Sequence, residues 1–211
     1  MVDFQKVRQS DFWYVVGYIA TDGYLSVDGR HINITSKDRA HLYSIRKALQ
    51  LKNKIGRKTR SIEKNKKYSQ LQFGDINFFS YLENLGLTSK KSLTLGPINV
   101  KDGYFADFLR GVVDGDGSIS TWIHRTNNHR QWSLRIFSAS SSFIRWLEST
   151  IGEGFQVKGK LYTRNEASKK NPIFILKYGK FAASKILKEI YYPNCLALER
   201  KLLKAQLCLQ S

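Results

Sequence analysis

Cysteine is nearly absent: Cys195 and Cys208 are the only two, and neither is flanked by histidines at metal-ligand spacing. Neither a zinc site nor a disulfide framework is indicated, and reduced thiols of an intracellular compartment, cytoplasm or organelle, are the simpler reading. Long apolar runs are missing too. The longest, residues 12–20, falls far short of the roughly 20 residues that a membrane-spanning helix needs, so no membrane partner is expected. The opening Met1-Val2-Asp3-Phe4-Gln5-Lys6 lacks the basic and apolar regions of a secretory signal. Acid is scarce as well: 17 Asp and Glu stand against 35 Lys and Arg, a formal net charge of +18. That excess is too large for an ordinary solvated surface and implies a polyanionic partner. With 211 residues and 42% hydrophobic content, the chain can still bury a sizeable core, as one domain or two intimately packed halves.

An internal repeat dominates what is present. Val15-Val16-Gly17-Tyr18-Ile19-Ala20-Thr21-Asp22-Gly23 and Leu109-Arg110-Gly111-Val112-Val113-Asp114-Gly115-Asp116-Gly117 are each an apolar helical stretch with an early glycine and a final acid-glycine pair, offset by 94 residues. A carboxylate at the same place in both copies predicts a pseudo-twofold molecule that brings two acids together on its axis. Such a pair suits metal-assisted chemistry on a twofold substrate, and duplex DNA is the obvious one. Gly17 with Ala20, and Gly111 with Asp114 and Gly115, place close-approach positions along one face, which lets two helices pack backbone to backbone.

The copies agree beyond the acids. After Asp22, Leu25, Val27, Ile32 and Ile34 alternate with polar residues around a Gly29-Arg30 turn, the pattern of a half-buried hairpin. After Asp116, Ser118 to His124 and Trp132 to Phe137 repeat it around a longer loop. Leu42, Ile45 and Leu49 then match Ile144, Leu147 and Ile151 on an amphipathic helix, at an offset of 102. A second hairpin and a further apolar helix follow in each half, with residues 88–104 as the connector. The predicted fold is α+β: tandem αββαββα repeats, 1–95 and 96–211, whose two antiparallel sheets form a saddle.

This order and these motifs resemble the LAGLIDADG homing endonucleases in the form where one chain carries both motifs, over residues 12–201. Arg110 stands where the family has a small residue, Tyr18 and Thr21 deviate mildly, and Ala20 sits where the family often has its first, non-catalytic acid. The resemblance implies a monomeric, free-standing or intron-encoded enzyme that cuts both strands of a long, partly symmetric DNA site across the minor groove, leaving short 3′ overhangs. It also implies that Asp22 and Asp116 bind divalent metal together with the carbonyls of Thr21 and Gly115. Two carboxylates with oxygen donors suit Mg²⁺; Mn²⁺ would substitute, and Ca²⁺ would support binding without efficient cleavage. Lys37 occupies a position where the family places a basic or polar group near the scissile phosphate; Ala139 replaces it in the second half, and Lys177 is a weaker candidate for the same role. An RNA maturase acting on intron RNA, or a non-catalytic DNA-binding regulator, is the alternative on the same fold.

Simpler explanations exist for parts of this pattern. Asp-Gly is a common turn dipeptide, and only the pairing at matched positions lifts it above a stop signal. Residues 114–119 imitate the middle of a calcium loop, yet its first and last ligand positions fall on Val112 and Ile123. Residues 154–160 imitate a phosphate loop, but Leu161 follows and the context is strand-like. His31, His41, His124 and His129 form no metal constellation.

The polar faces of the hairpins are the candidate reading surface. Tyr24, Ser26, Asp28, Arg30, His31, Asn33, Thr35, Gln70 and Gln72 lie on the first. Ser118, Ser120, Trp122, His124, Arg125, Ser133, Arg135 and Lys177 lie on the second. Many of these carry hydrogen-bonding groups able to read base edges in a major groove. Lys58, Arg60, Lys64, Lys66, Lys67, Lys158, Lys160 and Arg164 are placed for phosphate contacts. A strand of eight to ten residues spans about 30 Å, close to the roughly 34 Å of one duplex turn.

Overall fold

The computed structural model describes residues 2–58, 68–165 and 171–210. Helix α1 (Gln9–Asp22) is buried all the way from Phe12 to Ala20, as expected of a helix that is apolar on every side. Its counterpart α5 (Phe105–Asp116) is buried from Asp107 to Asp114. The two pack at their glycines. A Cβ on Gly17 would run into the Phe108 carbonyl, and one on Gly111 into the Tyr14 carbonyl, so only glycine permits this approach.

Each long helix feeds a four-stranded antiparallel sheet. In the first, β1 (Gly23–Leu25), β2 (His31–Ser36), β3 (Ile55–Lys58) and β4 (Tyr68–Gly74) are arranged β1-β2-β4-β3. In the second, β5 (Gly117–Ile123), β6 (Arg130–Ser138), β7 (Lys160–Arg164) and β8 (Ile173–Tyr178) repeat that order as β5-β6-β8-β7. Helices α2 (Arg39–Ala48) and α3 (Ile76–Asn84) accompany the first sheet; α6 (Ser141–Phe155) and α7 (Lys180–Ile190) accompany the second. Leu25, Ile32, Ile34, Leu71 and Phe73 bury one face of the first sheet, and Ile119, Leu134, Ile136, Leu176 and Tyr178 one face of the second. Side chains alternate across a strand, so the polar partners of these residues form the opposite faces, as the sequence predicts.

Three details differ from the sequence reading. Val27 leaves the strand pattern and is 83% exposed. The Asp28 carboxylate accepts from the backbone N–H groups of Arg30 and His31 at 3.1 and 3.0 Å, which closes a turn around it and ends β1 at Leu25. The strands are also shorter than eight to ten residues, except β6 with nine. Finally, the connector carries a one-turn helix, α4 (Lys91–Thr94), and a helix that no periodicity announced, α8 (Glu199–Leu209), follows α7. Among the described residues no helix is long and apolar enough to cross a membrane.

Candidate active site

Asp22 and Asp116 are the last residues of α1 and α5, so the glycine packing of the two helices brings their acid ends together. A Cβ on Gly115 would collide with the Thr21 hydroxyl and stand 3.7 Å from Asp22 Cγ. Both carboxylates remain open to solvent on one side, yet the packed helix ends around them displace much of their water. That burial raises both above the ordinary carboxylate range. Asp116 is pushed up to about 6, first by burial and then by the charge of Asp22, while Lys201 and Lys91 pull the other way. Asp22 is raised by burial and opposed by Lys201 and by a hydrogen bond from Tyr18. The charge of Asp22 raises Asp116 further, and burial leaves the two carboxylates in need of a compensating cation.

Two lysines missed by the sequence reading stand closest to filling that role. Lys201, at the start of α8, is buried and donates to the carbonyls of Val113 and Asp114 at 2.6 and 2.7 Å and of Gly115 at 3.3 Å. An ammonium is favourable at a helix C-terminus, where carbonyls are left unpaired. Lys91, from α4, is also buried and donates to the Gly23 carbonyl. Burial lowers both lysines, Lys201 to about 8. Both follow the last helix of the αββαββα unit in their repeat, a shared position that was the available signal.

A buried polar strap delivers Lys201. Asp114 accepts from the Tyr14 and Tyr191 hydroxyls at 2.8 and 2.6 Å and from the Leu198 N–H at 2.7 Å. Arg110, fully buried, donates to the carbonyls of Leu196 and Ile190 and to Asp107, each at 2.8 Å. The Tyr192 hydroxyl closes the group onto Asp107 at 2.5 Å. Arg110 therefore occupies a usually small position because it fastens residues 190–196 to α5.

The surroundings of the two acids differ. The cavity beside Asp22 is lined by Tyr18, Lys37, Lys58, Tyr68 and Arg200; Lys37 lies 5.5 Å from the centre of the Tyr68 ring. The cavity beside Asp116 is lined by Lys91, Ser92, Ser138, Ala139 and the rings of Phe137 and Phe143. Lys37 thus shares a cavity with Asp22. Lys177 is not among the lining residues of either cavity: it lies in β8, opposite Arg135 on one side and Lys160 on the other.

On the first polar face, Tyr24 faces Asn33, Asn33 faces Gln72, and Thr35 faces Gln70, as predicted. Lys58 reaches the same face and meets the Thr35 hydroxyl at 3.5 Å. Ser26, Asp28 and Arg30 belong to the turn. The Asp28 carboxylate is committed there, with the His31 ring at 2.6 Å, so it builds the turn and is not a free reading group. On the second face, Ser118, Ser120, Trp122 and Arg135 are accessible to differing degrees, and Ser133 is corrected. It has the right parity but is fully buried, shut away from any partner in this arrangement. His124 and Arg125 lie in the exposed β5–β6 loop, and Lys158, Lys160 and Arg164 are exposed in and before β7. Arg60, Lys64, Lys66 and Lys67 lie outside the described residues.

The pair of acids and the helix-end carbonyls are hard oxygen donors of the kind a divalent metal takes, while the ammonium groups of Lys201 and Lys91 on those carbonyls compete with it. The Gly115 carbonyl already receives Lys201, leaving it one lone pair.

Comparison with known proteins agrees with the fold. The model of the LAGLIDADG-like domain matches residues 10–86. No curated protein shows significant sequence similarity to the chain. Among solved structures, the homing endonuclease I-WcaI bound to its DNA recognition sequence superposes with a TM-score of 0.66 at 13% identity, covering 94% of this chain and 87% of that one. The I-LtrWI LAGLIDADG homing endonuclease bound to target DNA gives 0.60 at 13% identity, covering 96% and 90%. Full-length DUF199/WhiA from Thermatoga maritima gives 0.60 at 16% identity over 97% of this chain, which spans 61% of its length. At such identities the superpositions show fold alone. Residues 10–86 match the LAGLIDADG-like domain model, and the chain as a whole carries the tandem LAGLIDADG fold of the structures on which it superposes.

Proposed function

We propose that this protein is a monomeric, site-specific DNA endonuclease that cuts both strands of a long, partly symmetric duplex by Mg²⁺-dependent hydrolysis. The observation that carries this reading is the pair of carboxylates, Asp22 and Asp116, at adjoining helix ends, between two polar sheet faces of a strongly basic chain. Asp22 and Asp116 are the groups that would hold the metal, with the Thr21 and Gly115 carbonyls as the backbone candidates. Bound there, the metal would supply charge stabilisation to the attacking and leaving oxygens of a phosphodiester. Lys37, Lys58 and Arg200, which line the cavity beside Asp22, would neutralise phosphate oxygens; Lys91, beside Asp116, is buried on the Gly23 carbonyl. Hydrolysis adds a water oxygen to phosphorus, breaks the bond to the 3′ oxygen and leaves a proton on it.

A second reading draws on Lys91 and Lys201. Two tethered ammonium groups at the helix ends also balance the acids without metal, as a non-catalytic DNA-binding regulator would require.

Duplexes selected for binding from a randomised library in Ca²⁺, then incubated in Mg²⁺ or Mn²⁺, separate the two. The nuclease reading expects double-strand cuts by the wild type. Asp22→Asn or Asp116→Asn should retain binding and lose about a hundredfold or more in rate, since each factor of ten corresponds to about 1.4 kcal/mol. Bound DNA that the wild type leaves intact in both metals would establish the regulator. Cutting undiminished in either variant would remove that acid from the mechanism.

A further inference from the structure

The two polar faces carry different chemistry at matched places. In the first sheet, one cross-strand row runs Tyr24, Asn33, Gln72. In the second, the equivalent row runs Ser118, Arg135, Lys177, Lys160. Each row begins two residues beyond its acid, so both lie at the same distance along the chain from the centre. The first is neutral and the second carries three cations side by side.

The cationic row is costly in isolation. Like charges directly opposite one another in an antiparallel sheet repel, and the Arg135 Nε is buried without a hydrogen-bond partner. An electronegative ligand lying across the row would offset that repulsion. The amide row is built in the opposite sense. Gln70 donates to the side-chain oxygens of Asn33 and, at 3.3 Å, of Gln72, which fixes the direction in which both amides point. Each keeps its NH₂ group and a free lone pair, the donor and acceptor that adenine N7 and N6 require. Guanine offers two acceptors, O6 and N7, which a guanidinium meets together in a fixed planar fork and an ammonium only as a rotating point charge.

We propose that the row Tyr24-Asn33-Gln72 selects adenine in one half-site, and that the row Arg135-Lys177-Lys160 selects guanine at the corresponding place in the other. This rests on the DNA-binding reading above. It makes the asymmetry of the target a matter of base identity on either side of the centre, independent of whether the strands are cut.

The test uses the full chain and a randomised duplex library, with binding selected in EDTA so that no cleavage interferes. The bound sequences should be enriched in adenine on one side of the centre and in guanine at the mirrored position. Arg135→Lys keeps the charge and loses the planar fork; it should lower guanine enrichment by about 5- to 150-fold in that half alone while leaving affinity for random duplex unchanged. Asn33→Ala should relax adenine in the other half alone. Unaltered binding to random duplex shows that each variant is folded. Matching bases in the two halves, or a profile unmoved by Arg135→Lys, would overturn the assignment and leave DNA binding standing. Failure of the wild type to retain any duplex would overturn the DNA-binding reading itself.

Discussion

Asp114 and Ala20 hold equivalent positions in the two repeats, and the difference decides much of the local chemistry. Asp114 gathers two tyrosine hydroxyls and a backbone N–H. Ala20 has no polar atom with which to do so. The sequence marks Asp114 as an acid of the repeat, but its partners at Tyr14, Tyr191 and Leu198 are far apart in the chain and unreadable from spacing. His41 belongs to the same group. Its Nε2 lies 2.9 Å from the Tyr14 hydroxyl, and since that hydroxyl's proton goes to Asp114, the ring nitrogen is the donor. Burial pushes His41 down to about 4. An unfolded chain takes up this proton below about pH 6.5, so folded stability should fall as pH drops from there to about 4, by up to about 3 kcal/mol. Urea unfolding of the wild type and of His41→Asn at several pH values measures it. The gap between the two proteins should change across that window, and parallel curves would show that His41 titrates normally in the fold.

At the scale of elements, the contact between α1 and α5 has the least tolerance. The sequence predicts close approach from Gly17 and Gly111, and the structure places each against the carbonyl of the facing helix. A backbone cannot yield as a flexible side chain does. Gly17→Ala and Gly111→Ala should each cost about 3 kcal/mol or more. Gly56→Ala, with nothing within 4 Å of the added carbon, should cost little or stabilise. Denaturant midpoints decide it, and equal effects at the three positions would mean that the helices do not meet at their glycines. The hairpins were legible because one apolar face is buried and alternation reports it. Helix α8 was not: its apolar residues include Leu203 and Leu207, both more than half exposed, so the pattern does not define a single buried stripe. Its place is set by Lys201 and the strap.

Over the whole molecule, the charge of +18 sets how the protein meets a polyanion. If the exposed Lys58 and Lys158 each neutralise a phosphate, the logarithm of affinity should fall with the logarithm of salt by about 0.9 for every such contact. Lys158→Ala should weaken specific and random duplex alike and flatten that slope by about 0.9. Fluorescence binding titrations at several salt concentrations supply the numbers; a salt-independent affinity would show that the charge serves something other than DNA. The apolar and basic walls of the two acid cavities differ as much as the reading rows do, so the pseudo-twofold frame carries two unequal halves.

The sequence by itself determined the frame: the repeat offset, the two acid-glycine helix ends, the alternating hairpins and the excess of cations are local or periodic features that a linear reading can count. Only the tertiary structure decided which groups share the centre. Lys91, Arg200 and Lys201 arrive from segments outside the repeated motif, Arg110 explains its own irregularity by what it fastens, Ser133 is buried despite its parity, and the two cross-strand rows exist only through register between strands distant in the chain. Burial, long-range hydrogen bonds and pairing register are properties of the packed chain, and local periodicity carries no record of them.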